Sequence, residues 1–198
     1  DGAVSITGNG GITTAGDVTT TDDDATFASA TTLSGPVAVS TGAGAGDILF
    51  SSTVDGGQNL TLTAGAGDIT LTGAVGGTTR LGTLDIVSAA DVTANAITAG
   101  HLLQQAGSGT TTLNGAVDTD TAAGVNLTGT NLPVNAPITT TNDGVVTIDE
   151  TGTVAIAAAG DAAPRRRALM TLGVAANLGA IGWYKYASFF VDLAHRLT

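Results

Sequence analysis

Apolar and polar positions alternate in short runs along most of this chain, and the runs return at a fixed interval. Phe50, Leu71, Val92, Leu113 and Val134 stand 21 residues apart. The text around them repeats loosely, as Phe50-Ser-Ser-Thr-Val54, Leu71-Thr-Gly-Ala-Val75, Val92-Thr-Ala-Asn-Ala-Ile97, Leu113-Asn-Gly-Ala-Val117 and Val134-Asn-Ala-Pro-Ile138. In Leu60-Thr-Leu-Thr63 and Ile69-Thr-Leu71 every second side chain falls on one face, which predicts brief strands. Gly and Asp punctuate them: Asp47 and Asp68 are also 21 apart, as are Ile48 and Ile69. Leu84-Asp-Ile86, Val125-Asn-Leu127 and Val145-Val-Thr-Ile148 supply further runs at less regular spacing.

A constant period of this size predicts an all-β parallel β-helix, one coil per 21-residue unit, over residues 1–163. Coils stacked about 4.8 Å apart would make seven of them a rod of about 35 Å. Val, Leu and Ile from successive coils would form the inward ladders, and Thr would alternate outward into water. Short strands with frequent turns also suit a β-sandwich, but the fixed period favours the helix.

Composition agrees with strands and tight turns. The apolar residues are mostly small and aliphatic, Thr dominates the polar positions, and 29 glycines supply turn conformations. There is no Gly-X-Y period to suggest collagen, and the regular apolar positions argue against disorder. The chain has no cysteine, so disulfides and thiolate metal sites are excluded. It opens at Asp1 inside the repetitive pattern without a signal peptide, which reads as a fragment whose targeting information lies upstream.

Charge divides the chain in two. Residues 1–163 carry sixteen acids against the single base Arg80, a net of −15. Residues 164–198 carry five bases against Asp192, a net of +4, together with five of the seven aromatics. The acidic part would repel nucleic acid, which is therefore not an expected partner.

At the junction, Asp161-Ala-Ala-Pro164 and Arg165-Arg166-Arg167 read as a hinge and a basic flank. The seventeen residues Ala168 to Tyr184 carry no charge, so residues 164–198 are expected to form a basic linker and an α-helical tail. The length is near the lower limit of a transmembrane span, and membrane contact through residues 168–191 is the expectation. Trp183, Tyr184 and Tyr186 would then sit at the interface. A soluble amphipathic helix, or one lying on a membrane surface, fits the same segment.

Candidate chemistry in the repeats is sparse. Gly42-Ala-Gly-Ala-Gly-Asp47 is a poor version of a calcium-binding nonapeptide, because Ala43 and Ala45 replace two glycines and the period is 21, not nine. An Asx-type turn, with Asp47 bonding nearby backbone N–H groups, is the expected role. Asp22-Asp23-Asp24 reads as a solvated loop. Polysaccharide-cleaving β-helices need clustered carboxylates and commonly a base, and here only Arg80 and His101 are on hand. His101, beside Leu102 and Leu103, reads as a strand-edge or packing residue. No catalytic, metal or cofactor site is assigned. Asn59-Leu-Thr61 and Asn126-Leu-Thr128 match the glycosylation sequon, a match that arises easily in a Thr-rich chain.

Two resemblances add to this reading. Gly46-Asp-Ile-Leu-Phe50, Asn59-Leu-Thr-Leu-Thr63, Gly67-Asp-Ile-Thr-Leu71 and Leu84-Asp-Ile86 resemble repeats of filamentous haemagglutinin-type adhesins, over about residues 30–158. That resemblance implies a right-handed parallel β-helix, a secreted or cell-surface bacterial protein, and attachment to a surface glycan or protein receptor without catalysis. Within residues 168–197, Leu172-Gly-Val-Ala-Ala-Asn-Leu-Gly-Ala-Ile-Gly-Trp-Tyr-Lys-Tyr-Ala-Ser-Phe-Phe190 resembles an early transmembrane segment of membrane-bound O-acyltransferases of the alginate O-acetylation type. That likeness implies acyl transfer to an exported polysaccharide, with the catalytic histidine much farther along; His195 matches no catalytic motif. The leading expectation is an adhesin-like fragment. The alternative is a fragment of such an acyltransferase fused to an extracellular repeat region.

Overall fold

The computed structural model describes residues 2–157, and within them every regular element is a strand. The helical tail expected over 164–198, its membrane contact through 168–191 and the acyltransferase-like stretch 168–197 lie outside the described residues. Among the described residues no helix is long and apolar enough to cross a membrane. The first compact unit of the chain is Asp1–Ala157.

The unit is a parallel β-solenoid with three sheet faces. The first face stacks eight strands, Val4–Ile6, Ala25–Phe27, Ile48–Phe50, Ile69–Leu71, Val92–Ala94, Thr111–Leu113, Leu132–Val134 and Val154–Ile156. Every neighbouring pair is parallel, so the chain makes one full turn between each strand and the next. Seven turns at the usual strand separation extend about 34 Å. The second face runs through Val18–Thr19, Val37–Ser40, Leu60–Thr63, Leu81–Ser88, Ile97–Gln104, Val125–Gly129 and Val146–Glu150. The third begins with Ile12–Thr14, Thr31–Leu33 and Val54–Asp55, and continues through Val75 and Ile97 to Val117–Thr119 and Ile138–Thr140.

The coil is about 21 residues on average but not constant. Partner offsets along the first face are 21, 23, 21, 23, 19, 21 and 22. One expected ladder is thereby corrected. Phe50 does stack on Leu71, but Leu71 stacks on Ala94, which then meets Leu113; Val92 belongs to the neighbouring ladder between Ile69 and Thr111. A two-residue insertion in one coil and a two-residue deletion in the next cancel, so the even spacing skipped over them. Because strand side chains alternate with period two, a shift of two leaves Val92 facing inward, and both Val92 and Ala94 are buried. The coils also begin earlier than the visible repeat: Val4–Ile6 and Ala25–Phe27 already lie in register with Ile48–Phe50.

Inward positions of all three faces make one apolar core. It is aliphatic apart from Phe27 and Phe50, whose rings stack with centroids 4.4 Å apart. The expectation that Thr faces outward needs correction as well, since Thr31, Thr41, Thr111 and Thr119 are buried. A threonine is nearly isosteric with valine, so it fits an inward rung, at least cost when its hydroxyl has a partner; Thr119 Oγ1 has none among the described residues. Thr41 Oγ1 donates to the Gly46 carbonyl at 2.6 Å, and Thr111 Oγ1 to Gln104 Oε1 at 2.9 Å.

Candidate functional site

The outer surface of the first face carries rows of one residue type, because each coil repeats the same turn chemistry. The residue just before the strand is Asp24, Asp47, Asp68 and Asp91 in four successive coils. Each carboxylate accepts a backbone N–H from the coil above: Asp24 from Asp47 at 2.9 Å, Asp47 from Asp68 at 2.8 Å, Asp68 from Asp91 at 2.9 Å and Asp91 from Thr110 at 2.6 Å. These turns would otherwise leave N–H groups without partners at a corner, so the aspartates continue the sheet ladder past the end of the strands. The outward central positions are Thr26, Leu49, Thr70, Thr93 and Thr112. Asp24, Thr26, Asp47, Leu49, Asp68 and Thr70 line a shallow cleft there. Along the far border lie Thr72, Asn95, Asn114 and Asn135, where Asn135 Nδ2 donates to Asn114 Oδ1 at 2.9 Å and Asn95 Nδ2 to the Thr72 carbonyl. The face can offer carboxylates, hydroxyls and amides at the coil spacing, which suits hydrogen bonding to an extended polar partner.

Asp47 and Asp68 were visible in the sequence, whereas Asp24 and Asp91 were missed. Both sit across coils with offsets of 23. The signal that finds them is local: Asp-Ala-Thr-Phe27, Asp-Ile-Leu-Phe50, Asp-Ile-Thr-Leu71 and Asp-Val-Thr-Ala94 share an Asp followed by alternating inward residues.

The glycine-rich corner before Asp47 is bound by protein groups. Asp22 Oδ1 accepts the Gly44 N–H at 2.6 Å, and Asp22 itself is left-handed at φ 63°. Two members of Asp22-Asp23-Asp24 thus hold the following coil, where the sequence suggested a merely solvated loop. The carboxylates of this corner bond backbone N–H groups, as an Asx turn would, but those of the next coil. Among the described residues no three His, Asp or Glu side chains are grouped to hold a metal ion.

Arg80 is fully engaged in structure. Its guanidinium donates to the Ala99 and Asp118 carbonyls, each at 2.9 Å, and pairs with the carboxylates of Asp118 and Asp120, each at 3.2 Å. Asp55 anchors the loop that presents it, accepting the Thr78 and Thr79 N–H groups at 2.7 and 3.0 Å. One arginine therefore ties three coils on the third face. Its ion pairs are partly exposed and contribute little alone, so most of its effect comes from bonds to backbone carbonyls. Arg80→Ala is expected to cost about 1–2 kcal/mol in chemical denaturation. Arg80→Lys should recover less than half, because an ammonium cannot reproduce the planar fork.

His101 lies on the outer side of the second face, and its Nε2 accepts from Asn126 Nδ2 at 3.0 Å. Burial holds the imidazole below its ordinary pKa, opposed in part by the Asp85 carboxylate. Gln105 Nε2 spans both Asp85 oxygens at 2.9 and 3.0 Å. The sequon residues are also in use. Asn59 Oδ1 accepts the Thr83 N–H at 2.9 Å, and Asn126 Nδ2 also donates to the Ala123 carbonyl at 3.0 Å.

These features define a class, the parallel β-solenoid with polar ladders on its outer face. Comparison with known protein families, with curated proteins and with solved structures gave no match to this chain.

Proposed function

We propose that residues 1–163 are the binding rod of a secreted or cell-surface bacterial adhesin-like protein, wound right-handed as parallel crossovers generally are. The role is attachment and support with no chemistry of its own, and the partner is a surface glycan or protein receptor. The observation that carries this reading is the first face, where Asp, Thr and Asn rows repeat coil after coil beside one another. A repeating polymer or extended segment can meet such a face at several equivalent points, so weak contacts add. The adhesin-like repeats quoted from the sequence point the same way. The acidic surface disfavours nucleic acid. The tail over 164–198 is proposed to hold the rod at a membrane through its uncharged stretch.

The test is binding of the labelled full chain to arrays of cell-surface glycans and proteins. Wild-type chain is expected to bind a defined set saturably. A Thr70→Arg and Thr93→Arg double variant, with unchanged circular dichroism, should bind that set about tenfold or more weakly. Equal binding by the variant, or no binding by wild type to either array, would remove the support for this reading.

A further inference from the structure

Two polar side chains take inward positions on the second face, Gln104 within the apolar core and Glu150, half-buried, on its last strand. Gln104 occupies an inward rung between Ile86 and Leu127, and it is fully buried at 0% exposure. Its Oε1 accepts from Thr111, while its Nε2 meets no acceptor among the described residues. Two residues past Ile148 on the same strand, Glu150 stands opposite Gly129. Both Glu150 carboxylate oxygens are shielded from solvent and, among the described residues, meet no donor.

The two heads converge on one place. A methyl group added at Gly129 would lie 3.0 Å from Glu150 Oε2, 3.4 Å from Glu150 Oε1 and 3.3 Å from Gln104 Nε2. A Cβ at Gly107 would run into the same Gln104 nitrogen. Bare glycines therefore border the donor and the acceptor. Yet Gln104 and Glu150 make no hydrogen bond to each other.

The chemistry of this pair selects its ligand. An amide nitrogen has no lone pair to give a cation, and a cation site needs several converging oxygens. An anion would be repelled by the Glu150 carboxylate. A group that accepts from Nε2 and donates to a carboxylate satisfies both, and the hydroxyls at hand are already engaged: Thr111 donates to Gln104 Oε1 and Thr151 to the Gly129 carbonyl. We propose that one ordered water molecule is bound over Gly129, accepting from Gln104 Nε2 and donating to the Glu150 carboxylate. Buried waters of this kind make two to four hydrogen bonds and become part of the fold, at a frequency of about one per 27 residues. Burial, and secondarily the charge of Asp149, raise the Glu150 pKa above the ordinary carboxylate value. That direction fits a carboxylate to which the described residues offer no donor.

The experiment is NMR on the full chain, reading magnetisation transfer from water to the Gln104 side-chain amide. A cross-peak with the sign of a long-lived bound water is expected. It should vanish in Gly129→Ala, whose methyl takes the same space, while the Val125 and Leu127 methyl shifts report an intact fold. Gly129 is not among the left-handed glycines, so the backbone accepts alanine. Absence of the peak in wild type, the sign of fast surface water, or persistence of the peak in a folded Gly129→Ala variant overturns the proposal. So does a scalar coupling that places Nε2 directly on a Glu150 oxygen.

Discussion

Replacing Leu71 by Asp is expected to unfold the solenoid at neutral pH. Leu71 is a buried inward rung, held between Phe50 and Ala94 on the first face. Removing its isobutyl group alone would cost about 2–5 kcal/mol, by analogy with truncation of leucine to alanine in other cores. The carboxylate adds the cost of burying a charge, and its rung neighbours Phe50 and Ala94 have no side-chain donor to offer. The sum is comparable with the whole net stability of an ordinary domain, about 5–15 kcal/mol. Thr93→Lys on the same face is the control, because Thr93 is exposed and beside the aspartate row. It should shift stability by no more than about 0.5 kcal/mol. Circular dichroism against temperature reads both. A Leu71→Asp chain that melts at the wild-type temperature would mean that Leu71 faces solvent and that the whole first-face register is displaced by one residue.

The contrast between Leu71 and Val92 shows how much of the fold was legible. The solenoid could be read because each coil must present apolar residues at equivalent places, and 21 is the commonest coil length. The partner of each rung could not always be read. An insertion before Val92 and a deletion after it leave the long-range spacing intact, and only backbone pairing reveals Ala94 as the true partner of Leu71. The aspartate row was half visible for the same reason, since Asp24 and Asp91 sit across the longer coils. Arg80 was noticed as the one base of the rod, but its carbonyl partners come from coils 19 and 38 residues away and follow no local rule. Gln104 and Thr111 were illegible in another way. A polar residue in an inward position looks like a break in the pattern until its partner is known, and here each partly satisfies the other.

Gly76→Val is expected to be the most damaging change outside the core, even though it removes no contact. Gly76 adopts φ +69°, a left-handed conformation that a β-branched residue enters only at a cost of about 1–3 kcal/mol. Its N–H donates to the Val54 carbonyl at 2.6 Å, so the backbone cannot rotate away without breaking the stack. A Cβ there would collide with the Thr98 carbonyl oxygen of the next coil and stand 3.0 Å from the Leu81 nitrogen. Both obstacles are backbone, which cannot move aside as a flexible side chain would, and overpacking of this kind adds about 1–3 kcal/mol. Together the terms predict a loss of about 2–6 kcal/mol, or roughly 2–4 °C in Tm per kcal/mol for a chain of this size. Gly77, next in sequence, has no left-handed φ, and the nearest atom to its added Cβ is a side-chain methyl, that of Ala74 at 3.3 Å. Gly77→Val should therefore cost under about 1 kcal/mol. Hydrogen exchange localises the effect: the Gly76 variant should lose amide protection at Val75, Ile97 and Thr98, while the first-face strands keep theirs. Equal melting of the two variants would mean that the third-face coils are not stacked through Val54, Val75 and Ile97, and that the bridge between the upper and lower halves of that face lies elsewhere.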